Sequence, residues 1–307
     1  MSNKTHSPVI FIVGPTCIGK SEFAINLAKR INGEIINADS MQVYSNLHIL
    51  TARPELKEQK KIPHHLYGYV DGSIRYNVAT WCNDVLNILE KNINEKKHSI
   101  VVGGTGMYIE KFINGLVQMP SIPEKIKNES ENFLENYGIE KLRDEVIKID
   151  KDASKKISLN DINRLRRIWE VYKYTKKNLT FWKKNKNKKF LSNKNFVIYL
   201  FTPNREQIYN RVNKRFSNMI NSGAIEEVKN LLELDLPNSF PIMRAHGVPE
   251  IINFLSGSLS IEECILKGQL VTRHYVKRQL SWWRTSKLKI AKKFDKFPLE
   301  IDINSLK

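Results

Sequence analysis

An α/β fold is predicted, with a parallel sheet as its core and an all-helical insertion. Three observations carry this. Short apolar runs alternate with stretches of helical spacing. The first run leads directly into a glycine-rich motif. A long middle segment shows no strand pattern.

The elements follow in order. Residues 8–13 (PVIFIV) form a short apolar run ending at a glycine, the mark of a buried strand. Residues 20–31 (KSEFAINLAKRI) have helical spacing. Residues 34–38 (EIINA) and 98–102 (HSIVV) are further strands, the latter followed by Gly103-Gly104. Residues 196–202 (FVIYLFT) are a fourth, followed by a proline and a mainly helical stretch to about 290. From 121 to 195 the pattern is helical or irregular. The expected organisation is a core of residues 1–120 and 196–307, with a helical C-terminal part, and a helical insertion at 121–195.

Composition excludes several classes. The chain has 307 residues, and 41% hydrophobic content argues against disorder. No apolar run reaches the roughly 18 residues of a membrane span. The apolar stretch of the N-terminus runs straight into the glycine motif, so no separate cleavable signal is expected. Three scattered cysteines, Cys17, Cys82 and Cys264, exclude a disulfide scaffold and a four-cysteine zinc site and suit a reducing cytoplasm. Lys and Arg number 50 against 32 Asp and Glu, a net charge of +18. The excess is clustered: residues 151–194 hold 15 basic residues against 3 acidic ones, and residues 264–294 hold 9 basic residues and no acid. Two basic segments suit one long polyanion, so a nucleic acid is the expected partner. The run 176–194 reads as an exposed basic loop or a frayed helix end.

Residues 14–21, Gly14-Pro15-Thr16-Cys17-Ile18-Gly19-Lys20-Ser21, match G-x-x-x-x-G-K-[ST] between a strand and a helix, which makes the core P-loop NTPase-like. Glycines let the backbone curl so that N–H groups point inward, and the helix N-terminus adds positive potential. Lys20 supplies a charge, and the Ser21 hydroxyl can hold Mg²⁺. Cys17 reads as a small filler rather than a nucleophile. Hydrolytic P-loop enzymes place a carboxylate after a later strand, but 98–102 ends in Gly103-Gly104-Thr105-Gly106. The carboxylate is instead Asp39, directly after strand 34–38, on the sheet edge that lines the ligand crevice. A turn or cap at Asp39-Ser40 is the alternative.

Six segments together resemble the tRNA dimethylallyltransferases (tRNA isopentenyltransferases) of the bacterial type: GPTCIGKS (14–21), NADSMQVYSNLHILTARP (37–54, with Arg53 at the family's Lys), PHHLY (63–67), GGTGMYIEKFINGL (103–116), NDINRLRRIWEVY (160–172, with Asn163 at its Gln) and TRHYVKRQLSWWR (272–284). MRAHGVPEII (243–252) departs from the family pattern at Val248-Pro249. The resemblance implies transfer of the dimethylallyl group from dimethylallyl diphosphate to N6 of adenine 37 of tRNA, with Mg²⁺. It implies Asp39 as base at N6, Thr105 near the target nucleotide and Arg215 near the diphosphate, with Lys20 and the 14–21 loop holding that diphosphate. The implied tRNA-binding set is Asp39, Ser40, Met41, Gln42, Thr105, Lys127, Asn163, Arg164, Leu165, Arg166, Arg167, Arg273, Lys277 and Arg284.

The target base must leave its stack, so the insertion and the core are expected to grip the anticodon arm. Ile168, Trp169 and Tyr172 read as packing. Helical spacing puts Arg273, Lys277 and Arg284 on a stripe expected to line the crevice, beside an apolar stripe of Val276, Leu280 and Trp283. His64 and His65 read as structural. A cytoplasmic monomer is expected. A P-loop small-molecule kinase, a prenyltransferase of free adenine nucleotides and an ATP-switched nucleic-acid module are the rival readings.

Overall fold

The computed structural model describes residues 7–158, 160–185, 187–191 and 196–306. The chain starts with β1 (Val9–Val13), α1 (Lys20–Ile31), β2 (Gly33–Asn37), α2 (Leu56–Gln59), β3 (His64–His65), α3 (Val78–Asn94), β4 (His98–Gly103) and α4 (Gly106–Asn114). Then come β5 (Leu116–Val117), α5 (Glu124–Ile149), α6 (Lys151–Ser154), α7 (Ile162–Thr175), α8 (Leu179–Lys183) and β6 (Asn187–Lys188). The last part has β7 (Phe196–Phe201), α9 (Arg205–Met219), a π-helical turn (Ile220–Ala224), α10 (Ile225–Leu232), α11 (Val248–Leu255), α12 (Ile261–Thr285) and β8 (Lys292–Phe294).

One compact unit runs to Ile113 and resumes at Phe190; the other spans Asn114–Lys189. The second unit thus starts earlier than the periodicity suggested, because Leu116–Val117 pair antiparallel with Asn187–Lys188 inside it. Some of the run 176–194, and residues 192–195, lie outside the described residues.

The first unit is built on a parallel sheet in the order β3-β2-β4-β1-β7-β8. The four sequence-predicted strands are its four longest, and β1 has neighbours on both sides. Such strands are covered on both faces, which explains their unbroken apolar runs. The edge strands β3 and β8 escape sequence detection because His-His and Lys-Lys-Phe have no apolar run. β8 is held by Phe294, which stacks on Phe201 at 4.8 Å. His65 pairs with buried Glu34 at 2.6 Å and the His64 ring with the Ile62 carbonyl at 2.7 Å, both structural contacts.

Trp81 on α3 ties this sheet to the loop that follows β2. It is fully buried, its ring packs 5.3 Å from Tyr108 and 5.7 Å from Phe112, and its Nε1 donates to the Asn37 carbonyl at 2.7 Å. Buried Asn37 in turn accepts from the Asp39 amide at 2.8 Å and donates to the Asp39 carbonyl at 3.0 Å.

The second unit has its own core of Leu142, Val146, Ala153, Leu165, Ile168 and Trp169. Two expectations change here. Leu165, expected at RNA, is 2% exposed and packs inside this core. Arg166 is 7% exposed, donating to Ser130 Oγ at 2.9 Å, Lys127 O at 3.1 Å and Glu131 at 2.9 Å. A guanidinium so enclosed holds α7 on α5 and has no surface to offer a phosphate. Tyr172, expected to pack, is 39% exposed at the end of α7.

Trp81→Ala is expected to lower stability by roughly 3–5 kcal/mol, the cost of truncating a buried large aromatic. Urea unfolding followed by far-UV circular dichroism measures it. A loss under about 1 kcal/mol would mean that the core collapses around the gap.

Candidate active site

The 14–21 loop leaves β1 at Gly14, where φ is 147° and an added Cβ would lie 2.3 Å from the Phe201 carbonyl oxygen, so only glycine fits. Gly19 precedes α1, whose first turn carries Lys20 and Ser21. The loop is braced from two distant helices. Thr16 N–H donates to Gln279 Oε1 on α12 at 2.9 Å, and Arg215 Nη2 on α9 donates to Thr16 Oγ1 at 2.8 Å. Gln279 also donates to the Gly104 carbonyl at 3.1 Å, joining the loops after β1 and β4. The Thr16 amide is therefore already used within the protein.

A cavity of about 420 Å³ opens over the loop. Thr16 to Ser21, Asp39, Arg53 and Arg215 line it. The Lys20 ammonium folds back on the Pro15 carbonyl at 2.6 Å. Burial pulls its pKa down to about 8; Asp39 opposes this and Arg215 adds to it. Burial pushes the Cys17 thiol up, against the pull of Arg215 and Lys20, which keeps it protonated and fits the filler reading.

Asp39 accepts from the Met41 amide at 2.8 Å and the Gln42 amide at 3.4 Å, both through Oδ1. Oδ2 has no hydrogen-bond partner among the described residues. The turn reading of this residue is seen on Oδ1, and the residue also lines the loop cavity. The Ser40 amide donates to Thr105 Oγ1 at 3.4 Å. Gln42 lines the loop cavity, and its Nε2 donates to the Thr51 and Ala52 carbonyls at 2.9 and 3.1 Å.

A second cavity of about 360 Å³ has apolar walls from Leu50, Val212, Phe216, Met219 and Ala245. Thr16, Asp39, Thr51 and Arg215 border both cavities. His246 and Tyr275 complete the apolar one, their rings 4.7 Å apart. Burial, helped by Arg278, lowers the His246 pKa to about 4, so the ring is neutral near pH 7. Burial raises the Tyr275 hydroxyl, and Asp39 adds to this. Gln279, Tyr275 and His246 were not singled out from sequence. The first two sit in a segment dominated by its basic residues, and their inward direction depends on what α12 packs against.

The basic stripe of α12 divides. Val276 and Leu280 pack in the sheet core and Trp283 is buried, as the spacing indicates. Lys277 and Arg284 do not border the loop cavity. They line a separate one of about 580 Å³ with Arg205 and Lys293. Arg273 is tied to Asn213 Oδ1 at 2.6 Å. In the helical unit, Lys127 pairs with Glu124 at 2.8 Å, Arg164 is exposed and pairs with Asp161 at 3.2 Å, and Arg167 is half-buried with Nη2 3.1 Å from Met119 Sδ. Asn163 is exposed on α7.

Among the described residues no group of three or more His, Cys, Asp or Glu side chains could hold a metal ion, and no helix is long and apolar enough to cross a membrane.

A parallel sheet whose inner strand opens a glycine-cornered G-x-x-x-x-G-K-S loop defines a P-loop-like fold, and its family likeness places it among group transferases. The chain belongs to the IPP transferase family, whose model matches residues 42–286. It is 41% identical over 276 residues to a tRNA dimethylallyltransferase of Ehrlichia ruminantium, covering 90% of this chain and 91% of that one. It is similar to the crystal structure of a tRNA isopentenylpyrophosphate transferase from Bacillus halodurans, with TM-score 0.68, 30% identity and coverage of 97% and 92% of the two chains. It is also similar to a eukaryotic dimethylallyltransferase described as acting on tRNA, with TM-score 0.73, 31% identity and coverage of 90% and 69%.

The lowered Lys20 pKa has a consequence for ligand binding. An anion in the loop favours the charged lysine and raises its pKa, so above about pH 8 binding takes up a proton and weakens. Titration calorimetry with inorganic diphosphate should show affinity falling through that range. Lys20→Arg, charged throughout, should flatten the fall to that of the ligand's own ionisation; an unchanged profile would remove Lys20 as its source.

Proposed function

We propose that the protein transfers the dimethylallyl group of dimethylallyl diphosphate to N6 of adenine 37 in tRNA and releases diphosphate. The observation that carries this is the shared border of the two cavities. A cationic loop and an apolar chamber meet at Asp39, which suits a molecule with a diphosphate at one end and five carbons at the other. A small-molecule kinase needs no apolar chamber abutting its phosphate loop.

The chemistry follows from the side chains. The C–O bond between the allylic carbon and the diphosphate breaks, and the N6–C bond forms. Negative charge grows on the leaving diphosphate, where Lys20, Arg215 and the loop amides oppose it. N6 is a weak nucleophile because its lone pair is delocalised into the ring. Asp39, through its Oδ2, takes the N6 proton as the new bond forms. Thr105, whose Oγ1 accepts from the Ser40 amide next to Asp39, would help orient the base. Ser21 lines the loop cavity with its hydroxyl on the first turn of α1, which fits Mg²⁺ held mostly by phosphate oxygens. Such an ion would supply further charge for the departing diphosphate. Asn163, Arg164 and Arg167 on α7, and Lys277 and Arg284 on α12, are among the side chains that would meet the RNA.

Asp39→Asn should keep the turn, because the amide oxygen still accepts from Met41, while losing basicity. Single-turnover transfer at saturating substrates is expected to fall by roughly 10² or more. Near-normal chemistry would reduce Asp39 to its turn role. Lys20→Ala should weaken donor binding and turnover together, since the lysine meets the diphosphate in both ground and transition states. tRNA affinity should fall steeply as salt rises from about 50 to 200 mM. A flat profile would count against the phosphate contacts.

A further inference from the structure

The loop between Tyr44 and Pro54 folds into short turns, with Ala52 N–H on the Ile49 carbonyl at 2.9 Å and Arg53 N–H on the His48 carbonyl at 3.1 Å, and distant side chains hold it further. The Glu227 carboxylate on α10 accepts from three successive amides. Oε1 takes those of His48 and Ile49 (the latter at 2.8 Å), and Oε2 takes that of Leu50 at 2.9 Å. Gln42 takes over at the next two residues, donating to the carbonyls of Thr51 and Ala52. Ala52 sits at φ 50°, a left-handed conformation unusual for alanine. The segment so bent delivers Arg53.

Arg53 is itself fixed. Its Nε donates to His48 Nδ1 at 3.0 Å and Nη1 to the Tyr44 carbonyl at 3.1 Å. The guanidinium lies against Gly68, where an added Cβ would meet Nη1 at 1.6 Å. Both Arg53 and Thr51 line the loop cavity, as does Arg215. Glu227 supports the Arg53 charge against the desolvation that lowers its pKa. Glu227 does not border that cavity. The helical run α9–π-turn–α10 thus braces two segments that line the cavity, through Arg215 on Thr16 and through Glu227 on the 48–50 amides.

We propose that Arg53 is a third cation for the donor diphosphate, beside Lys20 and Arg215, and that Glu227 is the positioning residue that aims it. This rests on the diphosphate-donor reading above. Three amides converging on one carboxylate fix the loop's direction more tightly than a single cap, and a planar guanidinium can then meet phosphate oxygens with two parallel donors.

The test uses the full chain and inorganic diphosphate as the calorimetric probe, with steady-state transfer to tRNA measured alongside. Arg53→Ala should weaken diphosphate by roughly tenfold or more, the scale of a lost charge-assisted hydrogen bond. Glu227→Gln should raise KM for dimethylallyl diphosphate about fivefold while kcat and KM for tRNA stay within about twofold. The double variant should bind diphosphate no worse than Arg53→Ala alone, because Glu227 acts through Arg53. Unchanged diphosphate affinity in Arg53→Ala, additive losses in the double variant, or equal changes in all kinetic constants would overturn the proposal. If Glu227→Gln does not fold, Glu227→Asp takes its place in the same cycle, and Arg53→Ala remains decisive on its own. Diphosphate binding needs no acceptor: if the wild type fails to prenylate tRNA but Arg53→Ala still loses diphosphate, the proposed reaction fails and this inference stands.

Discussion

Lys20, Arg53 and Arg215 surround one cavity, and like charges gathered in a partly dry space repel one another. Much of the surrounding structure answers that repulsion. Lys20 leans on the Pro15 carbonyl, Arg53 on the Tyr44 carbonyl and His48, and Arg215 on the Thr16 hydroxyl. Asp39 favours the charged Lys20, and Glu227 favours the charged Arg53. These contacts keep the cations in place, but none neutralises them fully. The Lys20 pKa is lowered first by burial, and Arg215 adds a smaller part. On the proposed function, a bound diphosphate would favour the charged lysine, and the same cations would oppose charge growing on the leaving group.

α12 shows how one helix serves several ends. Val276 and Leu280 face the sheet core. Gln279 and Tyr275 face the loops after β1 and β4, and Lys277 and Arg284 face a different cavity. Gln279 is buried, with both ends of its amide satisfied, so it specifies the spacing of two loops that no local contact would hold. A similar economy operates in the helical unit. Arg166 is surrounded by Ser130, Glu131, Glu170 and the Lys127 carbonyl. Removing one partner of such a buried group is costly even where the pair as a whole adds little stability.

Where local pattern and packing agree, the sequence was readable. The run VIFIV, the motif GPTCIGKS and the helix Lys20–Ile31 are dictated within a few residues of chain, and the structure places them as the pattern indicates. Asp39 was readable because a parallel strand ends just before it. Arg215 could be placed only by family likeness. Its own segment, RVNKRF, says nothing of Thr16, about 200 residues away. Charge misled where it was counted without burial: Arg164 and Arg166 are near neighbours on one helix, yet the first is exposed and the second enclosed.

The sequence by itself determined the alternation of strands and helices, the phosphate loop, the carboxylate beside it and the separate helical segment. Each of these depends on residue spacing over short distances. Only the tertiary structure decided which polar side chains turn inward. Gln42 and Gln279 brace loops, and Glu227 gathers three amides of a loop nearly 180 positions away. The physical reason is that a hydrogen bond between distant segments depends on how whole elements pack. The same glutamine or glutamate on a helix would be a solvated surface residue if its neighbour across the fold were absent.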